Sequence, residues 1–242
     1  MESVFKEEKT ILPSVCDKSA RLKMSGFVDM CMDAAMVHAE ELGVGITEFR
    51  PKNRFWIVTK TKIRFLRPVC MAEKTVISTW PTKPGSHRCE RHYELRKGDE
   101  VLAVGKNEWL VIDTVDKTLK PTSEIYPKEL EISDKKGLEE PFARLRTFEG
   151  EQIGTYRVRS VDIDYGEHMN NVAYIRAIEG LFESDELKKA DFDTLDIQYK
   201  KSCYEGDLLI FTAQKEEDGL HICGALEDST VIVNALLSRE NV

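Results

Sequence analysis

RPVCMAEKTVISTW at residues 67–80 is answered by KKSCYEGDLLIFTA at residues 200–213. Each runs from basic residues through a cysteine and a turn into an apolar, strand-like stretch. The flanking sequence repeats as well. Upstream of the first copy, SGFVDMCMDAAMVHAEELGVG places Phe27, Cys31, Ala34, His38 and Leu42 at three- and four-residue steps, the mark of one helix face. Ser25 is the expected cap of that helix and Gly43 its expected end. FWIVTKTKIRFL then alternates, with Phe55, Ile57, Thr59, Thr61, Ile63 and Phe65 on one side and Lys60, Lys62 and Arg64 on the other. KTVISTW, HRCERHYEL and EVLAVGKNEWLVID read as further strands, with Lys97-Gly98-Asp99 as a hairpin turn.

The second half has the same order. TYRVRS reads as a strand, NNVAYIRAIEGLFESDEL as one helix, and TLDIQYKKSC, DLLIFTAQK, LHICGAL and VIVNALLS as strands. Glu217-Asp218-Gly219 and Glu227-Asp228-Ser229 read as turns. A helix followed by antiparallel strands, twice, predicts an α+β chain. Small residues at Ala34, Ala35, Ala173 and Ala177 allow a curved sheet to close around each helix. This is a double hotdog: two repeats, each a central helix wrapped by a curved antiparallel sheet. The expected boundaries are 1–115 for the first hotdog and 151–242 for the second. Residues 116–150, charged and holding Pro121, Pro127 and Pro141, read as a linker.

Composition narrows the function. The 242 residues are 41% hydrophobic, enough for a real core, and the net charge of −8 argues against a general nucleic-acid binder. No apolar run approaches the roughly 20 residues needed to cross a bilayer. MESVFKEEKT has the character of neither a secretory signal nor a transit peptide. The six cysteines form no CxxC pair, so no zinc or redox motif is expected, and reduced thiols suit a cytoplasmic protein.

The stretch DIDYGEHMNN at residues 162–171 carries too many acids, amides and imidazole for a plain turn before a helix. With the repeat around it, its pattern DxDxxxHxNNxxYI resembles the acyl-acyl carrier protein thioesterases, which are double-hotdog enzymes. RFWIVTKTKIRFLRP, TVISTW and NEWLVID in the first half, and DIQYKKSC followed by GD in the second, resemble the same family in the same order. The resemblance covers nearly the whole chain. It implies hydrolysis of a fatty-acyl thioester borne on the phosphopantetheine of acyl carrier protein, without cofactor or metal.

The resemblance also assigns residues. The family's catalytic Asp falls on Asp164 and its His on His168. The Asn two residues before that His falls on Gly166, and the Glu before a strand-borne Cys falls on Ser202, so two polar positions depart from the pattern. The Cys falls on Cys203. A thioester carbonyl needs a donor for its developing charge and the attacking water needs a base. The amides of Met169 to Val172 at the helix start are the expected donors, and His168 can take the proton near neutral pH. Asp164 orients the imidazole or helps activate the water. Asn170 and Asn171 serve capping and positioning at least as readily as chemistry. Cys203 is either a nucleophile with His168 and Asn170 or a buried thiol, and its parity with Leu195, Ile197 and Tyr199 favours burial, hence direct water attack. Gly166 leaves the DYGEH turn free to take a positive φ, and Glu167 is expected in solvent.

In the first half, His38 is expected as a packed histidine and no counterpart of the DxDxxxH motif is read. Of the cluster Met24, Met30, Met32 and Met36, Met30 and Met36 are expected, with Trp56, to line the acyl pocket. Arg157 and Arg159, placed on one strand face, and Lys200 and Lys201 are the expected contacts for an acidic carrier. Two other functions stay open: hydrolysis of acyl-coenzyme A, and a catalytically weakened acyl- or carrier-binding protein, suggested by Gly166 and Ser202. Chain-length preference is open, and a homodimer is compatible with the sequence.

Overall fold

Helix α1 (Met24–Glu41) buries Phe27, Cys31, Ala34 and His38, the face marked by the three- and four-residue spacing. Its start differs from the expectation. Lys23 is the residue at the N-cap and offers no side-chain cap, while Ser25 is buried within the first turn. The amide of Lys23 already bonds the Val15 carbonyl, which fixes the chain's entry before Ser25 is reached. At the other end Gly43 takes φ +70°, the left-handed conformation that stops a helix.

This computed structural model describes residues 3–122, 125–127, 130, 132–133 and 135–239. The chain divides into two units, Met1–Glu140 and Pro141–Val242. In the first, β1 (Phe5–Thr10), β2 (Arg54–Phe65), β3 (Lys74–Pro81), β4 (Cys89–Lys97) and β5 (Glu100–Asp113) form an antiparallel sheet in the order β1-β3-β4-β5-β2, with β6 (Leu119–Lys120) on β5. A short helix, α2 (Ile46–Phe49), joins α1 to β2. The lead-in FKEEKT, unassigned in the sequence reading, is the edge strand β1, whose exposure alternates along its length. In β2 the regular alternation is broken by a β-bulge between Val58 and Lys60, so Val58, rather than Thr59, joins Thr61 and Ile63 as a buried residue. Helix α1 lies on the inner face. Phe27 packs on Phe65, the Asn107 amide donates to Met32 Sδ at 3.3 Å, and Arg91 Nη1 donates to His38 Nδ1 at 2.9 Å. His38 is packed, as expected, and stacks on Phe5.

The second unit contains β7 (Glu151–Arg157), α3 (Asn171–Glu179), α4 (Ser184–Ala190), β8 (Thr194–Tyr199), β9 (Leu208–Glu216), β10 (Gly219–Ala225) and β11 (Val231–Ser238). Its antiparallel order is β8-β11-β10-β9-β7. The single helix expected over residues 170–187 is two. Gly180 caps α3, and Glu183 with Glu186 forms a capping box that starts α4. The two differ in character: α3 buries Val172, Ala173, Tyr174, Ile175, Ala177 and Ile178, whereas α4 buries nothing. Both units are therefore helix-on-sheet, and the fold is α+β of the hotdog type.

The outer face of each sheet is also covered. In the first unit the Trp80 indole donates to the Lys135 carbonyl at 2.6 Å, Lys135 Nζ lies over the Trp80 ring and 3.0 Å from Glu94, and the Gly137 amide donates to His92 Nδ1. In the second, the Ala143 amide donates to Asp196 at 2.6 Å, and the Gln198 amide donates to the Ala143 carbonyl.

Sheet packing in the second unit is tight around Gly224. A Cβ there would lie 2.7 Å from Phe211 Cε1 and 2.8 Å from Val233 Cγ1, both on buried side chains. Gly224→Ala should cost about 1–3 kcal/mol of stability through overpacking. A urea titration should show a lower midpoint, and an unchanged midpoint would show that the neighbours make room.

Candidate active site

The loop before α3 is a closed turn. The Asp164 amide donates to the His168 carbonyl (3.1 Å), the Glu167 amide to the Asp164 carbonyl (3.0 Å), and the Gly166 amide to the Asp164 carboxylate (2.7 Å). The positive φ falls on Glu167, at 64°, and not on Gly166 as expected. Glu167 itself is exposed. Asp164 Oδ1 lies 3.9 Å from His168 Nδ1, too long for a hydrogen bond but close enough for the carboxylate to favour one ring orientation. His168 is partly exposed, so water reaches it.

The first unit contains the same turn, which the sequence reading missed. The Asp17 amide donates to the Arg21 carbonyl (2.8 Å), the Ala20 amide to the Asp17 carbonyl (3.0 Å), and Asp17 Oδ1 accepts from the Ser19 and Arg21 amides. Ala20 has φ 58°. Asp17 thus stands where Asp164 stands, and Arg21 where His168 stands. An aspartate that closes this turn is therefore a feature of both units, and the imidazole is what distinguishes the second. The signal was present in the sequence as CDKSARL against IDYGEHM, but only the aspartate is shared.

The same comparison corrects the register of the segments at 67–80 and 200–213. The Leu22 amide donates to the Val69 carbonyl, and its counterpart Met169 donates to the Cys203 carbonyl. Glu73 accepts from the Cys70 amide as Asp207 accepts from the Tyr204 amide. Cys203 therefore matches Val69, one residue away from the cysteine-on-cysteine match.

Four amides were expected as oxyanion donors, and three of them are committed. Met169 donates to Cys203 O (2.8 Å), Asn170 to Asp162 O (2.8 Å), and Val172 to the Asn170 side chain (2.8 Å). Asn170 is thus the helix cap. Among the described residues the Asn171 amide has no recorded acceptor. Its position at the first turn of α3 leaves it aimed along the helix axis, where the dipole favours negative charge. The Asn171 carbonyl accepts from Tyr199 Oη at 3.1 Å, which ties this residue to the sheet. Asp162 is held in turn: its carboxylate accepts from Tyr156 Oη and the Arg159 amide.

Cys203 is fully buried, and its Sγ donates to the Asp207 carboxylate at 3.4 Å. Burial, reinforced by that carboxylate, pushes the thiol up to about 12, so it stays protonated near neutrality. Asp207, not singled out beforehand, also closes the turn through the Tyr204 amide. Ser202 is exposed. Arg157 ends β7 and donates to the Gly206 carbonyl, while Arg159 lies beyond the strand at the cap of a 3₁₀ turn over Ser160–Asp162, so the two do not share a strand face. Lys200 donates to the Gln198 side chain, and Lys201 is exposed. In the first unit Met30 is buried, but Met36 is 54% exposed. Trp56 stacks on Phe49, meets Trp109 edge-on and donates to the Val44 carbonyl.

The family description for the acyl-ACP (acyl carrier protein) thioesterase N-terminal domain matches residues 2–128, and that for the C-terminal domain matches residues 146–231. An oleoyl-acyl carrier protein thioesterase of Coriandrum sativum is 22% identical over 207 residues, 75% of this chain and 54% of that protein. A palmitoyl-acyl carrier protein thioesterase of Arabidopsis thaliana is 22% identical over 213 residues, 80% of this chain and 50% of that protein. The chain spans about half the length of these curated relatives. In fold it matches the crystal structure of an acyl-ACP thioesterase from Bacteroides thetaiotaomicron at TM-score 0.87, with 20% identity and coverage of 98% and 97% of the two chains. The 12:0-ACP thioesterase of Umbellularia californica matches at TM-score 0.78, with 16% identity and coverage of 98% and 97%.

The state of Cys203 gives a direct test. A thiol-alkylating reagent applied to the native protein at pH 8 should label the exposed Cys70 and leave Cys203 unmodified until the protein is unfolded. Labelling of Cys203 at the rate of Cys70, read by peptide mass mapping, would show an accessible thiol.

Proposed function

Because this chain belongs to the acyl-acyl carrier protein thioesterase family, matched across both of its halves, we propose that it hydrolyses fatty acyl-acyl carrier protein to free fatty acid and carrier protein. The observation that carries this reading is His168 at the mouth of the closed turn, two residues before the helix cap Asn170. In the proposed reaction His168 takes a proton from water, and the water oxygen bonds the thioester carbon. The negative charge that develops on the carbonyl oxygen is met by the Asn171 amide and the α3 dipole. The tetrahedral species then expels the phosphopantetheine sulfur, and the imidazolium returns its proton to that sulfur. Asp164 acts as a positioning residue, since its carboxylate holds the turn as well as facing the imidazole.

Direct attack by water fits better than a covalent acyl-enzyme, because Cys203 is buried and protonated. The second unit is proposed as the catalytic half and the first as the acyl-binding half. Within the first, Met30 and Trp56 are proposed to meet the acyl chain, and the 54% exposure of Met36 speaks against it as a pocket residue. No described helix is long and apolar enough to cross a membrane, and the six free cysteines agree with a reducing, cytoplasmic setting.

A second reading rests on a specific observation. Gly166 and the exposed Ser202 supply neither the amide nor the carboxylate that the family pattern places there, which favours a slow enzyme or a carrier-binding protein. The two readings separate when purified protein is given a chain-length series of acyl carrier protein and coenzyme A thioesters and thiol release is recorded. Hydrolysis of the carrier thioesters is expected, and its absence with binding intact selects the second reading.

Two mutational outcomes follow. His168→Ala should lower kcat by about 100-fold or more with the fold unchanged by circular dichroism, as expected for loss of a general base. Near-normal turnover would remove His168 from the chemistry. Gly166→Asn combined with Ser202→Glu should hydrolyse faster than either single variant, because both side chains would serve one water. A wild type faster than all three variants would instead identify a catalytic arrangement of this chain's own, centred on Asp164 and His168.

A further inference from the structure

Among the described residues of the second unit, only three large apolar or aromatic side chains are well exposed: Val161 at 85%, Tyr165 at 68% and Tyr204 at 57%. All three lie on the segments that build the turn around His168. Val161 sits in the 3₁₀ turn over Ser160–Asp162, Tyr165 in the closed turn between Asp164 and His168, and Tyr204 beside Cys203. Backbone hydrogen bonds tie these segments together. Asn170 N donates to Asp162 O, Met169 N to Cys203 O, and Gly206 N to Val158 O, while Ile163 pairs with Met169. Single exposed apolar residues are ordinary on any protein surface. Here the well-exposed large apolar side chains among the described residues of the unit all fall on these tied segments.

Charge frames the rim. Arg157 and Arg159 are exposed on the segment leading to Val161, and Glu167 and Glu205 are exposed on the turns. Arg157 is anchored through its guanidinium to the Gly206 carbonyl, in the turn that also carries Tyr204.

We propose that Val161, Tyr165 and Tyr204 form the docking surface for the protein that carries the acyl thioester. The partner this surface fits presents an apolar patch with carboxylates on the side that meets Arg157 and Arg159, away from Glu167 and Glu205. The inference rests on the carrier-thioester reading above and deepens it: these side chains select a carrier protein over a small thiol bearing the same acyl group. Aromatic anchors inside a charged rim are the residues that most often dominate such interfaces. A coenzyme A or free pantetheine thioester has no protein surface to bury there and gains nothing from them.

The experiment compares kcat/KM for one acyl group on acyl carrier protein and on free pantetheine. In V161S/Y165S/Y204S the carrier-to-pantetheine ratio should fall about tenfold, and Arg157→Glu should lower the same ratio with a loss that diminishes in high salt. All four positions are exposed, and circular dichroism and urea midpoints check that the variants fold. An unchanged ratio, with both substrates hydrolysed, overturns the docking surface while leaving the thioesterase reading intact. A parallel loss on both substrates also overturns it, since the side chains would then serve the reacting group itself. A wild type that hydrolyses the pantetheine thioester but not the carrier thioester fails the carrier reading, and the docking surface with it.

Discussion

The entrance to α3 is crowded with hydrogen bonds, and they commit three of the four amides that a developing oxyanion could meet. Met169, Asn170 and Val172 each donate to a fixed acceptor, on Cys203, Asp162 and the Asn170 side chain. The acceptors are themselves secured. Tyr156 and the Arg159 amide hold the Asp162 carboxylate, and Asp207 holds both the Cys203 thiol and the Tyr204 amide. An oxyanion donor is effective when it needs no reorganisation during the reaction. With the amides of Met169, Asn170 and Val172 already bonded, the Asn171 amide is the one of these four proposed to meet the oxyanion, together with the helix dipole.

The two units show how little sequence such a turn requires. Asp17 and Asp164 close equivalent loops, with Ala20 and Glu167 each accepting a left-handed conformation that non-glycine residues seldom adopt. The loops then diverge at the helix they introduce. In the first unit Lys23 precedes an uncapped helix of 18 residues, held by its packing on the sheet. In the second Asn170 caps a helix of only nine. A short helix has few internal bonds to offset the cost of starting it, so the cap matters more where the helix is shorter.

Much of the fold is legible in the residues, for reasons that can be named. Strands β5 and β11 match their expected ranges because hydrophobic alternation and flanking turn residues agree there. The core face of α1 is legible because Phe27, Cys31, Ala34 and His38 recur at the helical period and are all buried. The errors have equally local causes. The bulge in β2 shifts parity without changing composition. The edge strand FKEEKT hides because its alternating residues are mostly charged. The break after Glu179 rests on a glycine and a capping box inside a run that looks continuously helical. At the site, the clustering of polar residues was visible, yet the assignment of donors was not, because it depends on which carbonyls the tertiary structure brings opposite each amide. The register of the repeated segments failed for the same reason: a shared cysteine outweighed a backbone pairing that only three dimensions display.

The cover over the outer face of the first sheet has a consequence for modularity. Trp80 and His92 stack on that face and are almost wholly shielded, with Lys135, Gly137 and Leu138 laid against them. A fragment ending at residue 115 would contain every long strand of the first unit and α1, yet it would present an indole, an imidazole and the Glu94 carboxylate to solvent in place of their partners. The first compact unit accordingly extends to Glu140, which pairs with Arg64. The tract joining the repeats is consequently not a neutral site for insertion or permutation: splicing into residues 135–138 would unseal one sheet even though it would interrupt no strand.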